Sequence, residues 1–167
     1  YASSPEVLAT KVLVVSKEFD AQIDSLKAAG NGFRLERKYF REGASEPLSE
    51  GDTLRVGEKI VAKYKIWNEE NRSFVRLNAP RPASFRPVDQ LSGRYGWWLS
   101  PLRVDGWYTF SPQGYRNVLA TSTEYWFDSY PEEKTTISEV FFVTQKGRFT
   151  PPVIGIECLY APHYRAN

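Results

Sequence analysis

The chain has no methionine, one cysteine and one histidine among its 167 residues. Each scarcity removes a class of function. The single thiol, Cys158, cannot close an intrachain disulfide, and it leaves the redox compartment undecided. One Cys and one His supply no zinc-ligand spacing. His163 stands beside Pro162 close to the C-terminus, where a lone imidazole reads as a surface residue rather than a general base. No apolar run is long enough to cross a bilayer. Neither sign of charge dominates: 22 basic residues face 20 acidic ones, for a net +2. That balance gives no reason to expect nucleic acid or an anionic membrane as partner. The glycines form no phosphate-cradling pattern. The paired carboxylates Glu69-Glu70 and Glu132-Glu133 fall in turn-like stretches, where solvated charge is the simple reading. No catalytic residue, no cofactor and no metal site is therefore expected. Without Met at position 1, Tyr1 does not read as a translational start. The chain reads as a processed product or a domain cut from something larger, in which a signal peptide would be out of view.

What is present is a core. Apolar residues make up 41% and aromatic residues 15% of the chain, enough to fold one domain of ordinary size with an appendage. The appendage is residues 1–32. There Phe19, Ile23 and Leu26 fall on one helical face, Ser16 can cap and Gly30 can stop it, which predicts a short helix near Ser16 to Ala29. Cys158 alternates with Ile154, Ile156 and Tyr160, so it reads as a small, inert core residue on the last strand, Val153 to Tyr160. From Phe33 onward the period is two. Phe33, Leu35 and Tyr39 alternate with Arg34, Glu36 and Lys38. In Lys59 to Trp67, Ile60, Ala62, Tyr64 and Ile66 share one face, and Lys59, Lys63 and Lys65 share the other with Val61 and Trp67. Asn68 to Arg72 reads as a polar hairpin loop. Thr123 to Phe127 and Thr135 to Gln145 are two further strands. About seven strands with frequent turn signals predict an all-β fold, an antiparallel β-sandwich, over residues 33–167.

The stretch Ser73 to Gly93 organises the rest. Val75, Leu77 and Ala79 oppose Phe74, Arg76 and Asn78. Pro80, Pro82 and Pro87 then require an edge strand, a bulge or a crossing between sheets, because proline has no N–H for a ladder. Beyond it, Tyr95, Trp97, Trp98, Trp107, Tyr108, Phe110 and Tyr115 crowd a region broken by glycine and proline. Such rings can seal a core edge or pack on a neighbouring domain. Stacking on sugar rings, as in a carbohydrate-binding module, is the alternative.

In order along the chain, several short motifs resemble one family. They are Gly32 to Phe40, Gly51-Asp52 through Val56 to Ile60, and Phe74 to Leu77. Arg81-Pro82-Ala83 and Pro87 to Gly93 follow, then Gly106-Trp107-Tyr108, Tyr125-Trp126-Phe127 and Phe141 to Thr144. Lys146-Gly147-Arg148-Phe149 and Ile156 to Pro162 complete the set. Together they resemble the C-terminal macroglobulin-like domain of bacterial alpha-2-macroglobulins, with the long Bacteroidetes versions nearest. The crossover departs from that pattern at Asn78 to Pro80, at Ser84 and at Arg86. The resemblance implies structural roles for Arg81, Pro82, Pro87, Gly93, Gly147, Cys158, Tyr160 and Pro162. It implies a non-enzymatic domain of a protease-trapping endopeptidase inhibitor in the periplasm or outer envelope. Residues 1–32 would be the tail of a preceding domain. Its partners would be other domains of the same parent chain, whose thioester-bearing region it would pack on and shield. Target proteases would be met only through the full-length protein. The Cys-x-x-Gln from which that family's thioester forms is absent here. Trp97, Trp98 and Trp107 are the candidate contact residues.

Overall fold

The computed structural model describes residues 29–95 and 113–167. The expected N-terminal helix lies outside them except for Ala29, which is not helical and exchanges hydrogen bonds with Asn167. Eleven strands run in chain order: β1 (Gly30–Asn31), β2 (Phe33–Arg41), β3 (Lys59–Asn68), β4 (Arg72–Pro80), β5 (Phe85–Pro87), β6 (Gly93–Tyr95), β7 (Gly114–Val118), β8 (Ser122–Tyr130), β9 (Lys134–Val143), β10 (Gly155–Cys158) and β11 (Ala161–Ala166). They form two antiparallel sheets. One has seven strands in the order β1-β11-β10-β4-β8-β7-β6, and the other four in the order β2-β3-β9-β5. The all-β, two-sheet expectation holds over the described residues. The strand count rises from about seven to eleven because β1, β5, β6 and β7 are two to five residues long. So few residues carry no readable period.

The core lies between the sheets and follows the period-2 pattern. Ile60, Ala62, Tyr64 and Ile66 of β3 face Val75, Leu77 and Ala79 of β4, and all are buried. Tyr125 and Phe127 of β8, Ile137 and Phe141 of β9, and Ile156 and Cys158 of β10 complete it. Removing these side chains from water is the main force holding the sheets face to face.

The proline stretch crosses from one sheet to the other. β4 ends at Pro80, Arg81 to Ser84 carry the chain over, and β5 forms the outer edge of the four-stranded sheet. An edge strand tolerates Pro87, whose missing N–H need not serve a ladder. The expected hairpin at Asn68 to Arg72 is a second crossing, because β3 and β4 belong to different sheets. The buried Asn68 amide holds it, donating to the carbonyls of Glu70 at 2.5 Å and Pro131 at 2.8 Å. A hairpin and a crossing use the same polar turn residues, so local sequence does not separate them.

Two departures from alternation matter. Leu159-Tyr160 reverse the chain after β10, so Tyr160 leaves the face of Ile154, Ile156 and Cys158 and is 82% exposed. That corrects the single strand expected through Tyr160. The second lies in the β4–β8 ladder, whose register runs Ser73 to Ser129 and then Val75 to Phe127. At the skipped rung Phe74 takes a left-handed φ of 55°. On β4 the inward residues are Arg72 and Val75, and on β8 they are Phe127 and Tyr130, three apart in both strands.

Replacing Leu77 with Ala is expected to cost about 2–5 kcal/mol in denaturant unfolding, as deletion of a fully buried leucine does. Thr136→Ala, on the outer face of β9, is expected to stay within about 0.5 kcal/mol.

Candidate functional site

The crossing places a charged side chain where the sheets meet. Arg81 follows β4 directly, and its N–H donates to the Thr121 carbonyl at 3.0 Å. That turns its guanidinium inward, where Nη1 donates to Thr123 Oγ1 at 2.9 Å and Nη2 donates to the Leu119 carbonyl. Thr123 Oγ1 passes a hydrogen bond to Glu139 Oε1 at 2.5 Å, and Tyr64 donates to Glu139 Oε2 at 3.2 Å. Arg81 Nη1 lies 4.0 Å from Glu139 Oε1. One chain of donors and acceptors therefore links β8 of the larger sheet to β3 and β9 of the smaller.

Burial sets the electrostatics. It pushes the Glu139 carboxyl above the usual carboxylate range, against the opposing pull of Thr123, Arg81 and Tyr64. It also lowers the Arg81 guanidinium and raises Tyr64 well above an ordinary phenol. The neighbouring Tyr125 hydroxyl is buried with no hydrogen-bond partner among the described residues. An acid, a base and two phenols thus sit together, but both ionic groups are buried and turned inward. The arrangement serves as a clamp between sheets.

Two further arginines do similar work. Arg37 sits at an inward position of β2 and donates to the carbonyls of Pro80 at 3.1 Å and Pro152 at 2.5 Å. Arg72 lies over the Tyr164 ring at 3.8 Å and the Phe33 ring at 5.4 Å, and its Nε donates to Asn68 Oδ1 at 3.1 Å. Gly32 has φ +72°, and a Cβ there would come within 2.5 Å of the Arg72 guanidinium, so the bend into β2 needs glycine.

The residues singled out from the sequence are scattered. Arg81, Pro82 and Pro87 are buried along the crossing, and Gly93 opens β6. Gly147 turns the chain after β9 with φ +149°. Cys158 is 4% exposed, and burial raises its thiol. Pro162 lies in the irregular stretch of β11, and Tyr160 stacks edge-on against Phe74 with ring centroids 5.0 Å apart. Trp97, Trp98 and Trp107 lie outside the described residues, as do Tyr108 and Phe110. Of their aromatic neighbours, Tyr95 packs into the core on Tyr125 and Phe127, while Tyr115 is exposed. Sequence reasoning missed Glu139 and Arg37, although each occupies an inward position in an alternating run, between Ile137 and Phe141 and between Leu35 and Tyr39. Among the described residues, no three His, Cys, Asp or Glu side chains gather as a metal site.

The sequence profile of the bacterial alpha-2-macroglobulin MG10 domain matches residues 32–163. The chain belongs to this family. MG domains are structural scaffolds, and this MG10 domain is accordingly not an enzyme. Its fold is similar to that of several solved bacterial alpha-2-macroglobulins. The Escherichia coli protein in its native conformation matches with a TM-score of 0.67 and 14% identity, over 85% of this chain and 9% of that one. The E. coli structure spanning domain MG7 to the C-terminus matches with a TM-score of 0.65 and 12% identity, over 83% of this chain and 22% of that one. The Salmonella protein reacted with methylamine matches with a TM-score of 0.65 and 16% identity, over 84% of this chain and 9% of that one. The MG10 chain thus spans less than a quarter of each structure. No curated protein matches its sequence.

Two outcomes are expected. Burial raises the Glu139 carboxyl in the fold above its ordinary 4.5, so the folded state keeps that proton to higher pH than the unfolded chain. The stabilisation is complete below the unfolded value and is lost as pH rises through the folded one. Glu139→Gln should flatten that part of the curve of unfolding free energy against pH. Glu139→Ala, which strands Arg81, should cost about 3–5 kcal/mol at neutral pH. Separately, Cys158 should resist thiol reagents until the protein unfolds, and labelling of the native chain at the rate of a free thiol would contradict its burial.

Proposed function

We propose that this MG10 domain is a non-catalytic part of an alpha-2-macroglobulin-like endopeptidase inhibitor, a protease trap. In it the domain packs on and shields the thioester-bearing region of the parent chain. The observation that carries the reading is the family match across residues 32–163. The inward turn of Arg81 and Glu139 supports it, because that pair joins the two sheets rather than facing a substrate. In this reading residues 1–32 are the tail of a preceding domain and residues 33–167 form the macroglobulin-like domain. The parent is a long, Bacteroidetes-type chain in the periplasm or outer envelope, with this domain at its C-terminal end. Trp97, Trp98 and Trp107 are the proposed contact residues, since large rings at the centre of an interface carry much of its energy. Proteases are met only by the complete protein. A chain of 167 residues without Cys-x-x-Gln can neither enclose a protease nor capture it covalently.

A binding titration tests this against three ligands: the thioester-bearing fragment of the parent, a glycan array and a panel of proteases. The fragment should bind, and Trp98→Ala should weaken binding by about 2 kcal/mol while the melting temperature changes little. Glycan binding lost in Trp98→Ala would replace this reading with a carbohydrate-binding module. Stoichiometric protease inhibition by the isolated chain would overturn both.

A further inference from the structure

The outer face of the four-stranded sheet carries a concentration of charge that the net charge of the chain conceals. The outward positions of β3 hold Lys59, Lys63 and Lys65. On one side β2 adds Arg34 and Lys38, and on the other β9 adds Lys134 and edge strand β5 adds Arg86. Glu36 is the carboxylate on that face among the described strand residues. Seven cations therefore oppose Glu36 and, just past β2, Glu42 on a face of a chain whose net charge is only +2.

Lys65 lies opposite Glu36 in register, yet five of the seven cations make no direct ion pair. Lys38 pairs with Glu36 at 2.9 Å, and Lys59 reaches Glu42 at 3.2 Å. Among the described residues no carboxylate lies within ion-pair distance of Arg34, Lys63, Lys65, Arg86 or Lys134. Register sets Lys63 directly opposite Lys38, a like-charge cross-strand pair that opposes sheet formation. Aromatic rings hold the cationic heads down. Arg34 and Lys134 lie 5.0 and 5.3 Å from the Trp67 ring, and Lys63 lies 4.5 Å from the Phe40 ring. A cation over a ring is positioned without losing its charge. A face built only for solubility would mix the two signs.

We propose that this face docks a carboxylate-rich surface of a protein domain. The chemistry favours that partner over the two other polyanions. The cations are spread over a pleated face with the hydroxyls of Thr136 and Ser138 and the apolar Val61 and Val140 between them. This mixture suits the polar and apolar make-up of a contact between domains. The Trp67 ring is engaged by cations rather than free to stack on bases. An interfacial membrane anchor would present a continuous apolar side to insert, whereas here the apolar row Phe40, Val61 and Val140, with Phe142 beside it, is bordered by Lys38, Lys59 and Lys63. The ten residues of β3 and the width of four strands give a footprint of about 33 by 14 Å, the scale of one domain face. This contact is separate from the aromatic one proposed above, and it stands whether or not that one does.

The test titrates the chain with poly-L-glutamate, with phosphatidylglycerol–phosphatidylcholine vesicles and with double-stranded DNA. It repeats this for Lys63→Ser/Lys65→Ser, for Lys63→Arg/Lys65→Arg and for Lys146→Ser, a lysine in the turn after β9. Poly-L-glutamate should bind, with affinity falling as salt rises. The double serine variant should bind at least tenfold more weakly, and the arginine and Lys146→Ser variants should bind like the parent. Lys63 faces the like charge of Lys38 while Lys65 faces Glu36, so the two substitutions should offset and the double serine variant should melt close to the parent. Failure to bind poly-L-glutamate, or equal binding by the serine variant, would overturn the proposal. Tighter binding to vesicles or DNA that the serine variant abolishes would replace the proposed partner with a membrane or a nucleic acid.

Discussion

A guanidinium held away from water fixes how the two sheets meet. Arg81 sits where the chain leaves β4, and burying its charge would be costly without partners. It therefore constrains its surroundings: Thr123 must present a hydroxyl, Leu119 a carbonyl and Glu139 a carboxylate. These partners come from β8, from the turn before it and from β9, so meeting the needs of one side chain sets the two sheets relative to each other. Apolar burial supplies most of the driving force but little direction, since oily faces can slide. The buried polar chain supplies the direction.

The same logic recurs at the rim. Arg37 reaches from the four-stranded sheet to carbonyls of Pro80 and Pro152. Pro80 ends β4 and Pro152 precedes β10, and one arginine collects both carbonyls. Arg72 closes the opposite end between Phe33 and Tyr164. The domain thus uses arginine inside for clamping and leaves lysine mostly outside, as their donor geometries favour. A planar fork satisfies several fixed acceptors at once, whereas an ammonium is better kept hydrated.

Much of the fold was legible because long strands bury one face. The run Ile60, Ala62, Tyr64 and Ile66 could hardly be read otherwise, and Val75, Leu77 and Ala79 gave the matching side. Sheet membership was not legible. Asn68 to Arg72 is polar and short whether it joins neighbours or crosses the sandwich, and only tertiary hydrogen bonds to Asn68 distinguish the two. Tyr160 was misplaced because Leu159-Tyr160 turn without glycine or proline. The clamp was half visible: Glu139 occupies a core position by parity, but its partners Arg81 and Thr123 lie 58 and 16 residues earlier in the chain. The basic face was visible on β3 alone as Lys59, Lys63 and Lys65. Its extent depends on strand order, which brings Arg34, Lys38 and Lys134 beside them.

The skipped rung at Phe74 and Asp128 has a consequence for how this fold can vary. Each strand there loses one beat of its inside–outside rhythm, and both lose it at the same height, so the phases on either side remain matched. Deleting Phe74 alone would restore the beat in β4 but throw it out of step with β8. Every rung on one side of the gap would then place an inward residue opposite an outward one. Deleting both residues would leave two regular strands still in step. The two positions therefore form a compensated pair: change in length at one is tolerated only together with change at the other, although their side chains need never touch.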